Sequence, residues 1–125
     1  MDEPASQCPF CSPDGSVLRN CLAYARFDRY PVTPGHLLLI PLRHEADFFA
    51  TTHEERTALL DLMEQAKASL DREFHPDGYN VGVNVGAAAG QTIGHVHIHL
   101  IPRYRGDTAN PRGGVRGVIP ARQNY

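Results

Sequence analysis

Three histidines alternate with aliphatic residues in one short stretch of this chain, Gly94-His95-Val96-His97-Ile98-His99-Leu100-Ile101-Pro102. Strict alternation with a period of two is typical of a half-buried β-strand, so His95, His97 and His99 are expected to share one face of a strand. The aliphatic residues between them would then face a core. Imidazoles two positions apart on a strand stand roughly 7 Å from each other, close enough to act on one small ligand. The stretch therefore predicts a functional site on a sheet.

A single strand histidine is usually solvated or satisfied by a neighbouring polar group, because histidine is intermediate in burial. Three histidines in register are a different case. Histidine has a lower strand propensity than the β-branched residues, and each neutral imidazole still needs hydrogen-bond partners. The pattern thus favours a ligand site over ordinary packing.

Length and charge limit the kinds of protein this can be. With 125 residues the chain suits one domain, and its net charge of −2 provides no basic field for duplex nucleic acid. No apolar run approaches the roughly 18 residues of a membrane span, and the first residues lack the basic and apolar regions of a signal peptide. We therefore expect a cytoplasmic protein that binds neither a membrane nor a nucleic acid duplex.

The segment Cys8-Pro9-Phe10-Cys11 has the two-residue gap at which two thiolates can hold one metal ion, usually Zn²⁺. The histidines or Cys21 would supply the remaining ligands. A redox pair or a metal-free pair are the alternatives, although redox motifs follow the strand of a βαβ unit and only seven residues precede this one. Three cysteines without an export signal argue against a disulfide framework. Cys21 lies in an apolar run and is expected to be a buried thiol.

Strands and one helix are predicted from the remaining patterns. Residues 22–27 have strand character, and residues 36–41 are typical of a strand buried on both faces. Thr52-His53-Glu54-Glu55 is a capping box, and the helix it begins is expected to end at Phe74 or His75, before Pro76. Apolar residues spaced three or four apart form its core stripe: Leu59, Leu62, Met63, Ala66, Leu70 and Phe74.

A glycine-rich segment precedes the histidines. Residues 79–86 alternate valine with asparagine or glycine, so the valines are expected to pack on the helix while Gly82 and Asn84 face the side of the histidines. Glycine inside a strand often marks a close approach to the backbone. The small-residue loop 86–92 could bind an anion through its backbone amides. Directly before three histidines, this loop predicts a phosphate site.

The run His95-Val96-His97-Ile98-His99-Leu100-Ile101 resembles the signature of the histidine triad family of nucleotide hydrolases and transferases. The resemblance extends over residues 8–107, through segments 34–41, 84–86 and 90–93. It implies an α+β fold: an antiparallel sheet of about five strands with one main helix packed on a face, the sheet or pocket being completed in a homodimer. The chain would be a single histidine triad domain, residues 1–125, with a zinc-binding segment at 1–14 and a tail at 104–125.

The resemblance also implies cleavage of phosphoanhydride or phosphoramidate bonds at the α-phosphate of purine nucleotides. In this scheme His97 attacks phosphorus and forms a covalent nucleotidyl-histidine, which water then hydrolyses. A neutral imidazole suits this role because its ordinary pKa of about 6.5 leaves it mostly unprotonated at pH 7. His99 donates a hydrogen bond to a phosphate oxygen, the carbonyl of His95 fixes the tautomer of His97, and Gln91 contacts the phosphates. No catalytic metal is expected.

Other residues are expected to bind the nucleotide. Thr92 joins Gln91 at the phosphates, and Asn84 orders the site. Asp28 occupies the position that accepts hydrogen bonds from the ribose hydroxyls in the family, although an aspartate that begins a turn is commonly a local cap. His36 is either a structural histidine held by a backbone carbonyl or part of the hydrogen-bond network beneath the triad. The remaining candidate nucleotide contacts are Gly90, Phe10 and Phe27.

Some bacterial members of the family hold zinc through such a cysteine pair and two histidines. The matching positions are His44 and His95, so the implied ligands are Cys8, Cys11, His44 and His95. Such an ion would be structural and would connect the amino-terminal loop to the histidine segment.

The carboxy-terminal part bears on the substrate. Residues 102–107 resemble the branch of the family that cleaves dinucleoside polyphosphates, which are therefore the expected substrates. The arginines of 111–117 would either contact the distal phosphates or belong to a solvated or dimer-contacting tail. The alternatives to this hydrolase are a purine nucleoside phosphoramidase, a nucleotide-binding or sensing module with little turnover, and a structural protein whose histidines form a metal-binding patch.

Overall fold

The fold is described from a computed structural model, which covers residues 7–125. Its strands are β1 (Leu18–Arg19), β2 (Ala23–Phe27), β3 (Leu37–Pro41), β4 (Gly78–Val83) and β5 (Ile98–Arg103), and the helix α1 (His53–Phe74) lies between β3 and β4 in the chain. All neighbouring strands are antiparallel, and the sheet has the order β1-β2-β3-β5-β4. The predicted antiparallel sheet of five strands with one main helix is confirmed.

Helix α1 covers one face of the sheet because its apolar stripe meets alternate side chains of β2, β3 and β5. Leu59 and Leu62 are fully buried there. This core consists of Ala23, Ala25, Leu37, Leu39, Ala58, Leu59, Leu62, Ala66, Leu70, Ile98 and Leu100. The predicted capping box is present, since Glu55 N donates to Thr52 Oγ1 (3.0 Å) and Thr52 N donates to Glu55 Oε1 (2.8 Å). The helix ends at Phe74, and His75 adopts a left-handed conformation with φ of 50° as its C-cap.

The amino-terminal segment covers part of the opposite face. Strand β3 is buried on both sides, as predicted, because Leu38 and Ile40 pack with Phe10 away from the helix. The Tyr24 hydroxyl, fully buried, donates to the carbonyl of Phe10 at 2.7 Å. Phe10 and the cysteines beside it are thereby fixed next to the start of β5.

The histidine segment is only partly a strand. The sequence predicts a strand from Gly94, but β5 begins at Ile98, so His95 and His97 precede it. The reason is a different backbone partner: Val96 N donates to Glu45 O at 2.7 Å instead of joining the ladder. The expectation that three histidines share one strand face is therefore wrong for His95, whose side chain is fully buried.

Two further local predictions are corrected. Val83 packs against the helix core, but Val81 is 45% exposed because β4 is an edge strand of the sheet. Cys21 is exposed rather than buried. The run that contains it is broken at Asn20, whose Oδ1 accepts from Leu22 N and Ala23 N, so Cys21 lies in the turn between β1 and β2.

The carboxy-terminal tail contains 3₁₀ helices at Gly114–Val118 and Pro120–Arg122. Gln123 closes it, since its Nε2 donates to the carbonyls of Asn110 and Arg112, both at 3.1 Å. The guanidinium groups of Arg112 and Arg116 lie over the ring of Tyr125 at 5.0 and 5.2 Å. Both arginines are exposed and lie outside the histidine pocket, which fits a solvated tail.

None of the helices within residues 7–125 combines the length and the apolar character that crossing a membrane requires.

Candidate functional site

A pocket of about 410 Å³ lies on the face of the sheet opposite α1. It is lined by Pro9, Phe10, Arg26, Asp28, Arg29, Tyr30, Val32, His36, Leu38, Asn84, Gly90, Thr92, Ile93, His97 and His99. The sequence-predicted residues His36, His97 and His99 are thus brought together. Another groove, of about 490 Å³, lies by Arg103 and Asp107. The two side chains form a salt bridge of 2.8 Å with each other, so this groove is a weaker candidate for a charged ligand.

His97 is held in one tautomer by the backbone. Its Nδ1 lies 2.8 Å from the carbonyl oxygen of His95, the contact expected from the resemblance. A carbonyl oxygen only accepts hydrogen bonds, so Nδ1 carries the proton and Nε2 of the neutral ring keeps its lone pair. The ring lines the pocket and packs against Phe10 with centroids 4.9 Å apart. The arrangement therefore presents an unprotonated imidazole nitrogen to the pocket.

His36 and His99 form a hydrogen-bonded relay. The backbone N–H of Val32 donates to Nδ1 of His36 at 3.0 Å, so a neutral His36 must carry its proton on Nε2. That nitrogen lies 2.9 Å from Nδ1 of His99. His99 accepts there and keeps its own proton on Nε2. His36 is thus held by a backbone N–H rather than a carbonyl, and it belongs to the network beneath the triad.

The relay requires both rings to be neutral, and their surroundings favour this. Burial lowers the pKa of His99 to about 4, with positive charge on His97 or His36 acting in the same direction and Asp28 opposing it. Burial also lowers the pKa of His36, again against the effect of Asp28. At pH 7 His99 is accordingly an uncharged donor.

Asp28 caps a turn, one of the two roles considered for it, and also lies beside the relay histidines. Its Oδ1 accepts from Tyr30 N at 2.8 Å and caps the turn, while Oδ2 lies 3.5 Å from His36 Nε2 and 3.9 Å from His99 Nδ1. The three side chains are close enough to surround a cation. However, Nε2 of His36 carries a proton and has no lone pair to offer, so this cluster fits a hydrogen-bond network and not a metal.

The loop before the histidines offers fewer backbone donors than the sequence predicts. Gly86 N donates to Gln91 Oε1, Gly90 N to Ala87 O and Gln91 N to Gly86 O, at 2.9 to 3.1 Å. These amides are therefore not available to an anion, and within residues 7–125 the loop keeps unbonded N–H groups only at Ala87, Ala88 and Thr92. Thr92 makes no hydrogen bond to residues 7–125, so its hydroxyl and N–H remain free at the pocket wall.

Gln91 does not line the pocket. Its side chain is buried, and Nε2 donates to Ala46 O at 2.8 Å and to Ile93 O at 3.1 Å. The side-chain oxygen of Gln91 accepts from Gly86 N, so both the oxygen and the NH₂ group of this amide are hydrogen-bonded within the protein. The expectation that Gln91 acts on the phosphates is therefore replaced by a role in fixing the shape of the loop.

The two candidate aromatic residues lie on opposite faces. Phe10 is in the pocket, beside His97. Phe27 pairs with Leu37 in the sheet and packs on Phe74 of the helix, with ring centroids 6.2 Å apart. It is outside the pocket, so the expectation that it contacts the nucleotide is wrong.

Sequence reasoning missed part of the lining. Among residues 7–125, Arg26 and Arg29 bring the only guanidinium groups to the pocket, and neither of them forms a salt bridge with another described residue. Arg26 lies 5.8 Å above the ring of Phe10. The signal was the alternation in β2, which places Tyr24, Arg26 and then Asp28 on the face away from the helix.

The cysteine pair meets two histidines beside this pocket. Cys8 Sγ lies 3.4 Å from His95 Nδ1, while Cys11 Sγ lies 3.0 Å from His44 Nδ1 and 3.6 Å from His95 Nδ1. All four ligand atoms lie within 4.8 Å of one another. Tetrahedral zinc with ordinary bond lengths separates sulfur and nitrogen ligands by roughly 3.6 Å. His95 Nε2 donates to Pro41 O at 2.8 Å, which leaves Nδ1 unprotonated for a metal. The four residues therefore fit one zinc ion.

Comparison with known proteins gives a consistent result. The sequence matches the HIT domain family over residues 11–106. A HIT-like protein of Mycoplasma genitalium is 38% identical over 105 residues, which are 79% of this chain and 74% of that protein. The AP-4-A phosphorylase of Mycobacterium tuberculosis is 33% identical over 108 residues, 84% of this chain but 55% of that protein. The asymmetrical bis(5'-nucleosyl)-tetraphosphatase of Schizosaccharomyces pombe is 35% identical over 97 residues, 76% of this chain and 53% of that protein. The chain thus spans about half the length of these last two relatives.

Solved structures agree. A HIT family protein from Bacillus anthracis has a TM-score of 0.76 and 37% identity, covering 83% of this chain and 78% of that one. A zinc-bound histidine triad family protein from Mycobacterium smegmatis has a TM-score of 0.76 and 29% identity, covering 86% of this chain and 82% of that one. The chain is a member of the HIT, or histidine triad, family.

Proposed function

We propose that this chain is a nucleotide hydrolase or nucleotidyltransferase that acts at the α-phosphate of purine nucleotides through His97. The observation that carries the proposal is the hydrogen bond of 2.8 Å between His97 Nδ1 and the His95 carbonyl. It leaves the Nε2 lone pair of His97 in a pocket with hydrogen-bond donors and guanidinium groups. A fixed, neutral imidazole in such a pocket is suited to attack on phosphorus.

The reaction proceeds in two displacements. The Nε2 lone pair of His97 forms a bond to the α-phosphorus, and the bond from phosphorus to the bridging oxygen breaks with its electron pair going to the leaving group. For a phosphate leaving group no proton is needed, because that oxygen is stable as an anion at pH 7. Water then attacks the nucleotidyl-histidine, the P–N bond breaks, and its electrons return to Nε2 while the water proton passes to solvent.

Other pocket residues orient the substrate and stabilise charge. His99 donates its Nε2–H to a phosphate oxygen, and Thr92 and Asn84 supply further donors. Asp28 accepts from the ribose hydroxyls. Phe10, next to His97, contacts the base, and the glycine at position 90 leaves the pocket wall open at the phosphates.

We infer that dinucleoside polyphosphates are the substrates. Two relatives of which this chain spans about half are named AP-4-A phosphorylase and bis(5'-nucleosyl)-tetraphosphatase, and these names support this substrate class. A bis(5'-adenosyl)-triphosphatase of Dictyostelium discoideum is 37% identical over 89 residues, which are 71% of this chain and 60% of that protein. Arg26 and Arg29 provide positive charge for an extended phosphate chain.

Zinc held by Cys8, Cys11, His44 and His95 would be structural. It would cross-link the amino-terminal segment to His95. With four protein ligands, the ion would have no open position for a reacting group. Phe10 lies between the two cysteines in sequence, so this link would also fix one wall of the pocket.

The test is a parallel assay of the purified protein with diadenosine tetraphosphate and adenosine 5'-phosphoramidate. We expect turnover of the dinucleotide, with one product carrying a single phosphate. His97→Gly should abolish turnover while nucleotide binding persists. His75→Gly is the matched control, because His75 is exposed and its φ of 50° suits glycine.

The results separate the alternatives. A higher kcat/KM for the phosphoramidate would make the protein a phosphoramidase. Binding without turnover in the wild type would make it a nucleotide-binding module. More than one tightly held metal ion per chain, with His97 and His99 among the ligands, would support a metal-binding patch instead.

A further inference from the structure

An apolar groove, distinct from the one by Arg103 and Asp107, lies beside the pocket that contains His97, which we call the reaction pocket, on the same side of the sheet. It has a volume of about 390 Å³ and lies between β4, β5 and the 3₁₀ helix Gly114–Val118. His36, Asn84 and His99 line both the pocket and this groove. The two spaces are therefore adjacent, with the relay histidines and Asn84 between them.

The groove is apolar and uncharged. No Asp, Glu, Lys or Arg of the described part of the chain lines it. Aliphatic side chains form one wall: Val115 and Val118 are 60% and 77% exposed. Its volume is within the range of about 300–1,000 Å³ that is common for small-molecule sites. Removing apolar surface of this kind from water is favourable when an uncharged part of a ligand covers it, and a nucleobase with its ribose is such a part.

Gly82 forms an open part of the floor. It pairs with His99 in the sheet, and a Cβ built on it would meet no atom within 4 Å. Its backbone is not in the left-handed region, so neither packing nor conformation requires glycine here. Glycine weakens the interior of a strand, and its usual reason is the close approach of a ligand or another backbone. The open floor beside His99 therefore indicates a ligand.

Asn84 lies where the groove and the pocket meet. Its side-chain amide has no hydrogen-bond partner among residues 7–125. It can therefore bind the phosphate chain that would run from one space to the other. Together these features describe a site with two lobes, joined at the position of the reacting phosphate.

We propose that this groove binds the leaving nucleoside of a dinucleoside polyphosphate, while the reaction pocket holds the nucleoside monophosphate that is transferred. The inference rests on the proposed reaction at His97. When the P–N bond forms and the bond to the bridging oxygen breaks, the electron pair leaves with a nucleoside polyphosphate whose base and ribose occupy the groove. A phosphoramidate with a small amine leaving group does not reach it.

The test measures binding in the His97→Gly protein, which does not consume the ligand. Calorimetry gives the affinities for diadenosine tetraphosphate, ATP and AMP in that background alone and with a groove variant added. Gly82→Val fills the floor without changing charge, and Val115→Asp alters the opposite wall. Leu60→Asp is the matched control, because Leu60 on α1 is 57% exposed and Val115 is 60% exposed.

We expect each groove variant to weaken binding of diadenosine tetraphosphate about tenfold, through lost apolar contact. ATP and AMP should change by less than about twofold with Gly82→Val, because they carry no second nucleoside. Leu60→Asp should change none of the three.

Unchanged affinity for diadenosine tetraphosphate in both groove variants would overturn the proposal. An equal loss for all three ligands would also overturn it, since that would show a disturbed reaction pocket. An equal loss for diadenosine tetraphosphate and ATP with AMP unaffected would assign the groove to phosphates instead. Failure of the proposed reaction would appear separately, as absent turnover in the wild type while these binding differences persist.

Discussion

His95 and His97 are separated by one residue, yet they belong to different clusters. His95 joins Cys8, Cys11 and His44 in the thiol cluster, where its side chain is fully buried. His97 joins His36 and His99 in the reaction cluster, which lines an open pocket. The cysteine pair marks one cluster as a candidate metal site, but neither composition nor spacing explains why, of two histidines in the same short segment, one joins the thiols and the other lines the pocket.

The difference comes from which ring nitrogen the backbone engages. His95 donates from Nε2 to the carbonyl of Pro41, which leaves Nδ1 for the thiol cluster. His97 donates from Nδ1 to the carbonyl of His95, which leaves Nε2 for the pocket. His36 instead accepts from the N–H of Val32, so its free nitrogen is a donor and cannot ligate a metal. Each histidine thus acquires its chemistry from one backbone group.

The largest effect should come from His97. We expect His97→Gly to lower kcat by a factor on the order of 10⁴ or more, because the nucleophile is lost. Metal content should be unchanged, since His97 is not part of the thiol cluster. Steady-state kinetics and elemental analysis of the same preparation check both statements. Loss of the metal in this variant would show that the two clusters are not independent.

The complementary change is His95→Ala. Its backbone carbonyl remains, so the tautomer of His97 should be preserved, whereas the metal site loses one ligand. We expect metal content to fall well below one ion per chain and the free energy of unfolding to fall by about 3 kcal/mol or more. Elemental analysis and urea denaturation measure these quantities. Cys11→Ser should behave alike, and the exposed Cys21→Ser is its control.

Much of the scaffold follows from local patterns. The Thr52 capping box and the apolar stripe of α1 predict that helix to within a residue of its ends, because its caps and its periodicity are encoded within the same segment. A continuous apolar run likewise predicts that β3 is buried on both faces. For the site, spacing and resemblance indicate most of the residues that line the pocket.

The predictions from sequence fail where contacts with residues far away in the chain determine the local structure. Periodicity predicts a strand through His95, but Val96 pairs with Glu45, far away in sequence. Gln91 looks available for a phosphate, yet the carbonyl of Ala46 holds its amide. Phe27 packs on Phe74 of the helix, although the alternation of β2 already indicates the face opposite to Arg26. Such partners lie tens of residues apart, and local sequence does not specify them.

His36 tests the relay. His36→Leu removes the donor to His99 and leaves the Val32 N–H without its acceptor, so kcat should fall by about 10- to 100-fold with a smaller change in KM. His36→Gln can place an amide N–H near the lost Nε2–H and should recover part of the rate. The ¹⁵N shifts of His99 report whether its proton stays on Nε2. Equal rates in the two variants would argue against a role through the tautomer.

Acid should weaken the folded state through the reaction cluster. The pKa of His99 is lowered to about 4 by burial, whereas the unfolded chain protonates near 6.5. Between these values the unfolded state binds more protons, so the free energy of unfolding falls as pH falls, by up to about 1.4 kcal/mol per pH unit for one group, and levels off below about pH 4. His36 acts in the same direction. Urea midpoints at several pH values, compared with His99→Gln, measure the slope, and an unaltered slope in the variant would contradict this account.

The smallest effect concerns Phe27, which sequence alone places at the nucleotide. Because its ring packs on Phe74 and is 41% exposed, Phe27→Ala should lower the free energy of unfolding by only about 1 kcal/mol. Nucleotide affinity should not change, since no part of the pocket is formed by this ring. Phe10→Ala is the contrasting variant and should weaken nucleotide binding, because Phe10 lines the pocket beside His97. If Phe27→Ala weakened nucleotide binding as much as Phe10→Ala, the two faces of the sheet would not be functionally separate, and the assignment of the site to the face opposite α1 would have to be given up.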